Sequence, residues 1–157
     1  MKKILVSECL YGGRTVRYDA RDVVLEDPRF LKWKAEGRLV PICPEVFGGL
    51  PVPRPDSQRV GDKVLTSTGK DVTAEYAAGA VEARRLAEEN DVAFAMMKLD
   101  SPSCGSKLIY DGTFTGNKIS GQGLAVEYLR NAGITVLGED DIDEAEKLIA
   151  IQKEETL

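Results

Sequence analysis

The sequence predicts an α/β fold: a single domain, residues 1–157, built on a mostly parallel, Rossmann-like three-layer sheet with helices on both faces and a long Pro/Gly-rich loop. Three observations predict it. Short, unbroken apolar runs alternate with stretches of helical periodicity, as in strand–helix–strand units. The runs lack clean polar–apolar alternation, as expected of parallel strands covered on both faces. Residues 48–69 interrupt the alternation with three prolines and four glycines, yet hold too many apolar side chains for a simple linker.

In chain order, the first strand is expected at about residues 3–7. The opening MKKILVSE superficially resembles a secretory signal, but its apolar run stops at Val6 and Glu8 follows almost at once. A signal core needs about 7–15 apolar residues. A helix is expected over 28–36, ending at Gly37. A second strand follows at 38–42, although Pro41 argues against a regular one. The 48–69 segment is read as a functional loop with a small hairpin around 59–65. Thr73 is expected to cap a helix running to Glu89, with Tyr76, Ala80, Ala83 and Ala87 on one face. A third strand is expected at 92–97 and a second loop region at 100–120. A helix over 122–131 stops near Gly133, and a fourth strand follows at 134–137. Asp141 and Glu144 resemble a capping box, followed by Ala145, Leu148 and Ile149 at helical spacing. Connections of this kind imply right-handed crossovers.

Composition narrows the function. A net charge of -5 argues against duplex nucleic acid as the main partner, because neutralising phosphates drives that binding. No run approaches the roughly 18 apolar residues that span a bilayer. The protein is therefore read as cytoplasmic. There is no histidine, which removes Ser-His-Asp and Cys-His catalysis and His-ligated zinc. Acid–base work falls to Asp, Glu, Lys, Tyr, Cys or water. The oligomeric state is not legible.

The three cysteines, an odd number, cannot close a disulfide framework within one chain. Each follows the carboxyl end of an expected strand: Cys9 after the first, Cys43 after the second, Cys104 in the loop after the third. Ligand sites of open parallel sheets gather at those ends. Taken singly, each cysteine fits a small buried core residue. Cys43-Pro-Glu and Ser-Pro-Ser-Cys104-Gly-Ser are loop settings, where that role fits less well. Without a CxxC spacing the metal signal is weak. Should the thiols converge, a structural zinc would lack its fourth ligand. A cubane cluster on three cysteines would leave one iron open as a Lewis acid. A non-catalytic cluster or metal sensor, and a cluster-free enzyme with Cys104 as nucleophile, remain alternatives.

Five blocks occur in order: VSECLYGGRTVRYDA, GRLVPICPEVFGGLPVPRP, KLDSPSCGS, IYDGTFTGN and GLAVEYLRNAGITV. Their span covers most of the chain. Together they resemble the bacterial family known as domain of unknown function 523, which includes thiouracil desulfidases. The resemblance implies a [4Fe-4S] cluster on Cys9, Cys43 and Cys104, with one open iron for the sulfur of a small thiolated substrate. It implies hydrolytic, non-redox removal of sulfur as sulfide. It also places the acid–base residues on Glu45 and Ser101. One departure is Glu8, where the family usually has a small residue; a carboxylate there is expected to make the pocket more negative.

Candidate substrate contacts are Ser7, Arg17, Tyr18, Asp19 and Ser103. Tyr18 can stack a base. The plainer readings are a strand-ending serine at Ser7 and an Arg17–Asp19 surface pair. Ser101 is equally suited to a turn before Pro102, and the plainer reading of Glu45 is a surface or loop-capping carboxylate. Asp111, Gly112 and Thr113 are a turn signal; the same block brings Thr113 or Phe114 towards the substrate. Gly48 and Gly49 permit a tight loop.

Overall fold

The computed structural model describes residues 1–155 by backbone, with side chains described to Ile151. In chain order the elements are β1 (Ile4–Ser7), α1 (Glu8–Tyr11), α2 (Pro28–Ala35), β2 (Leu39–Ile42), α3 (Pro44–Phe47), β3 (Ser57–Val60) and β4 (Lys63–Thr66). There follow α4 (Thr73–Glu89), β5 (Phe94–Met97), β6 (Leu108–Tyr110), β7 (Lys118–Ser120), α5 (Leu124–Asn131), β8 (Val136–Gly138) and α6 (Ile142–Glu155). No helix among the described residues is long and apolar enough to cross a membrane.

Four strands form one all-parallel sheet in the order β2-β1-β5-β8. Every residue of β1 and β5 is buried, which explains their unbroken apolar runs. Successive side chains still alternate between faces. Leu5, Ala95, Met97 and Val136 pack with Tyr76, Ala80, Ala83 and Ala87 of α4 and Leu124, Ala125 and Leu129 of α5. Ile4, Val6, Phe94 and Met96 pack with Phe30 and Trp33 of α2 and Ala145 and Ile149 of α6. The result is the expected three-layer sandwich. Pro41 is accommodated because β2 is an edge strand, paired only with β1.

Local chemistry explains the helix ends. Asp27 caps α2 by accepting the N–H of Arg29 at 2.9 Å, with Pro28 next in sequence. Gly37 at φ +71 turns the chain after that helix. Thr73 is not the cap expected of it. Its hydroxyl accepts the N–H of Val64 at 2.9 Å, while Asp71 accepts its N–H at 2.9 Å. At α6, Asp141 accepts the N–H of Gly138 at 2.8 Å instead of closing a capping box with Glu144.

The β3–β4 hairpin lies where residues 59–65 predicted one. Residues 100–120 are more ordered than a loop, because β6 and β7 form a second antiparallel hairpin.

Candidate active site

Three connections after parallel strands build one cavity. Ser7 ends β1, and its Oγ accepts the N–H of Lys98 at 2.8 Å, tying that end to the end of β5. Cys9 follows in α1. Cys43 links β2 to α3, with extended backbone. Cys104 sits in a tight turn closed by Gly105 N–H to the Ser101 carbonyl at 2.8 Å. The start of α5 holds that turn: Leu124 and Ala125 donate to the carbonyls of Pro102 and Ser103 at 2.9 and 3.0 Å. A Cβ on Gly123 would lie 2.4 Å from the Ser103 carbonyl carbon, so only glycine allows this approach.

All three thiols line a single cavity of about 340 Å³. Burial raises the proton affinity of each thiol. Cys104 is pushed up to about 12. Cys9 rises through burial first and then through the neighbouring Cys104 and Cys43. Cys43 rises through burial, opposed by N–H groups of α3. Neutral thiols are thus favoured until a metal supplies compensating charge. Among the described residues, no three Cys, Asp or Glu side chains are close enough to hold a single metal ion. The three cysteines face one cavity. Such an all-sulfur donor set suits a polynuclear iron–sulfur cluster better than a mononuclear zinc, which needs four close ligands.

Glu45, on the first turn of α3, enters the same cavity. Its Oε2 accepts the hydroxyl of Ser103 at 3.0 Å. Its Oε1 accepts the Tyr76 hydroxyl at 2.7 Å and the Nε of Arg54 at 3.2 Å. Ser103 Oγ also lies 3.4 Å from Cys104 Sγ and 3.0 Å from Ser101 Oγ. Ser103 therefore bridges Glu45 and Ser101. Ser101 holds its turn as well, because its Oγ accepts the N–H groups of Ser103 and Cys104, both at 3.1 Å. Close helix packing sets the position of Glu45: a Cβ on Gly79 would stand 1.9 Å from the Pro44 carbonyl oxygen.

Ser7, Arg17, Tyr18 and Ser103 line the cavity with the thiols, but Asp19 does not. Asp19 pairs with Arg17 at 3.0 Å and accepts the N–H of Arg21 at 3.1 Å, so it restrains Arg17 from outside. Glu8 also lies outside. Its carboxylate turns to Arg14, with one hydrogen bond at 3.0 Å, and does not face the pocket as its place beside Cys9 suggested. Thr113 belongs to the turn, its N–H donating to Asp111 at 2.9 Å, whereas Phe114 reaches the cavity.

Sequence reading did not single out Arg54, Asp56, Gln58 or Lys98, all of which line the cavity. Burial raises the Asp56 carboxyl above its usual range. Gln58 is buried and accepts the N–H groups of Gly112 and Phe114 at 2.9 and 3.2 Å, fixing the hairpin tip over the cavity. Tyr76 was legible as a core residue of α4, but its hydroxyl end was not. Arg54 lies in the quoted PVPRP block, the one signal that marked it.

Two known proteins are similar to this chain over most of its length. An uncharacterized protein of Bacillus subtilis (strain 168), YbbK, is 37% identical, over 90% of this chain and 98% of its own. A solved structure of the [4Fe-4S]-dependent thiouracil desulfidase TudS is 42% identical, with a TM-score of 0.93 over 96% of this chain and 99% of that chain. The 2-thiouracil desulfurase family model matches residues 4–141. The chain belongs to the 2-thiouracil desulfurase family.

Proposed function

We propose that this protein is a [4Fe-4S]-dependent desulfidase that replaces the sulfur of a small thiolated base, such as 2-thiouracil, with oxygen from water. The observation that carries the reading is the meeting of Cys9, Cys43 and Cys104 at one cavity with Glu45 bridged to the Cys104 turn by Ser103. The 42% identity to a thiouracil desulfidase of that cluster type supports it.

Cys9, Cys43 and Cys104 would hold the cluster, which when bound supplies an iron without a protein ligand as a Lewis acid for the substrate's sulfur. The remaining chemistry belongs to the side chains. One water enters and one hydrogen sulfide leaves; a C–S bond is exchanged for a C–O bond without net oxidation. Glu45 takes the proton of the attacking water, and a positioned base of this kind contributes about 10²–10⁴-fold. Ser103 donates to Glu45 and links it to Ser101, which sits at the Cys104 turn to orient water or substrate. Tyr18 and Phe114 offer aromatic surfaces to a planar ring at the cavity wall. Arg17, held by Asp19, offers a cation.

A pocket of this size and a chain of net charge -5 suit a small molecule and not a duplex. Three free thiols suit a reducing cytoplasm. We take residues 1–157 as one desulfidase-like domain. The test is sulfide release from 2-thiouracil and related thiolated bases by anaerobically reconstituted protein. Release with uracil as co-product is expected. Iron retention without sulfide from any of them overturns the activity and leaves a cluster-binding protein.

A further inference from the structure

The two oxygens of Glu45 are treated differently. Oε1 receives two donors, the Tyr76 hydroxyl at 2.7 Å and Arg54 Nε at 3.2 Å, and so has its lone pairs occupied. Oε2 receives one protein donor, Ser103 Oγ at 3.0 Å, and keeps capacity for another. The donors on Oε1 are themselves immobile. The Arg54 side chain is only 4% exposed; its Nη1 donates to the Pro51 carbonyl at 3.0 Å, and its Nη2 donates to the Val16 carbonyl at 2.9 Å while lying 3.2 Å from Glu45 Oε1. Tyr76 is 1% exposed, set in the long helix α4 and packed into the core. Neither can follow the carboxylate were it to rotate.

We propose that Arg54 and Tyr76 are positioning residues that lock the rotation of Glu45, so that Oε2 is the oxygen presented to water on the Ser103–Cys104 side of the cavity. The inference rests on the desulfidase reading and on Glu45 as its base. A carboxylate without this clamp turns about its last bond with little restriction, because that torsion is broad. The working oxygen would then spend part of its time misaligned, and misplacement of reacting groups lowers the rate without weakening substrate binding. Arg54 also spans two segments of the site, since the Val16 carbonyl it binds lies 3.9 Å from Cys43 Sγ.

The test uses anaerobically reconstituted full-length protein, with iron per chain, kcat and KM for 2-thiouracil measured together. Tyr76→Phe removes one donor from Oε1 and keeps the buried ring. It should retain wild-type iron, hold KM within about twofold, and lower kcat by about 10-fold or more. Arg54→Lys keeps the charge but loses the planar fork, and should lower kcat in the same pattern. An unchanged kcat in Tyr76→Phe overturns the proposal. A KM change beyond about twofold assigns the residue to substrate binding, and loss of iron assigns it to the ligand scaffold; either also overturns it. A wild type that holds iron and releases no sulfide overturns the desulfidase reading itself, a result distinct from an active wild type matched by its variants.

Discussion

Gly79→Ala is a test of how the fold aims the candidate base. Gly79 lies on α4 against α3, and an added Cβ would stand 1.9 Å from the Pro44 carbonyl oxygen and 2.4 Å from its carbonyl carbon. The reciprocal contact is equally close: a Cβ on Gly48 would lie 1.9 Å from the Glu75 carbonyl oxygen. These are backbone atoms, so no rotamer change relieves the clash. Restoring an ordinary carbon–oxygen separation of about 3.3 Å requires α3 to retreat by about 1.4 Å. Overpacking of this kind costs about 1–3 kcal/mol. At about 2–4 °C per kcal/mol for a chain of this length, the melting temperature should fall by about 2–12 °C. Glu45 follows Pro44 directly and moves with it, and a misplacement of about 1 Å can cost on the order of 100-fold in rate. Thermal unfolding of the cluster-free protein by circular dichroism and sulfide release by the reconstituted protein measure the two effects. A Gly79→Ala protein with wild-type melting temperature and wild-type kcat would show that the close contact of α3 and α4 does not set the position of Glu45.

Ser103→Ala removes the hydroxyl that joins Glu45 to Ser101, and should keep iron while lowering kcat by about 10-fold; an unaltered kcat would show that the bridge is idle. Asp27→Ala deletes the cap of α2 and should destabilise the protein by about 1 kcal/mol near neutral pH, read as a fall of about 2–4 °C in melting temperature. The hydrogen bonds from the Arg29 side chain and backbone hold the Asp27 carboxyl below its usual range. Its stabilising effect is therefore present above the unfolded value of about 3.9 and is lost as pH falls below it. The gap between Asp27→Ala and wild type should narrow in acid, and a gap that widens would contradict the assignment.

The sheet was legible because β1 and β5 are buried on both faces and so carry no polar interruptions. The convergence of the cysteines was legible for a related reason, since each follows a strand whose carboxyl end points to the same side. The short helices α1 and α3 were not, because four residues carry no period. β6 and β7 escaped notice for similar reasons: three-residue strands in a stretch rich in Gly, Asp and Thr show no pattern, and β7 is exposed throughout. Glu8 shows the limit of proximity in sequence. It adjoins Cys9, yet a one-turn helix directs it to Arg14. Asp19 was grouped with Arg17 and Tyr18 by adjacency, but it serves the cavity only through Arg17. Tyr76 carried two messages, and only the apolar one has a helical period.

Cys9, Cys43 and Cys104 are together expected to hold a four-iron cluster on which sulfur removal depends. Iron and acid-labile sulfide per chain, measured after anaerobic reconstitution of wild type and of each single Cys→Ala variant, test this assignment most directly. About four of each per wild-type chain are expected, as in a [4Fe-4S] cluster, with a clear loss in all three variants. A colourless, iron-free wild type, or a full complement of iron in any one of the variants, would contradict it.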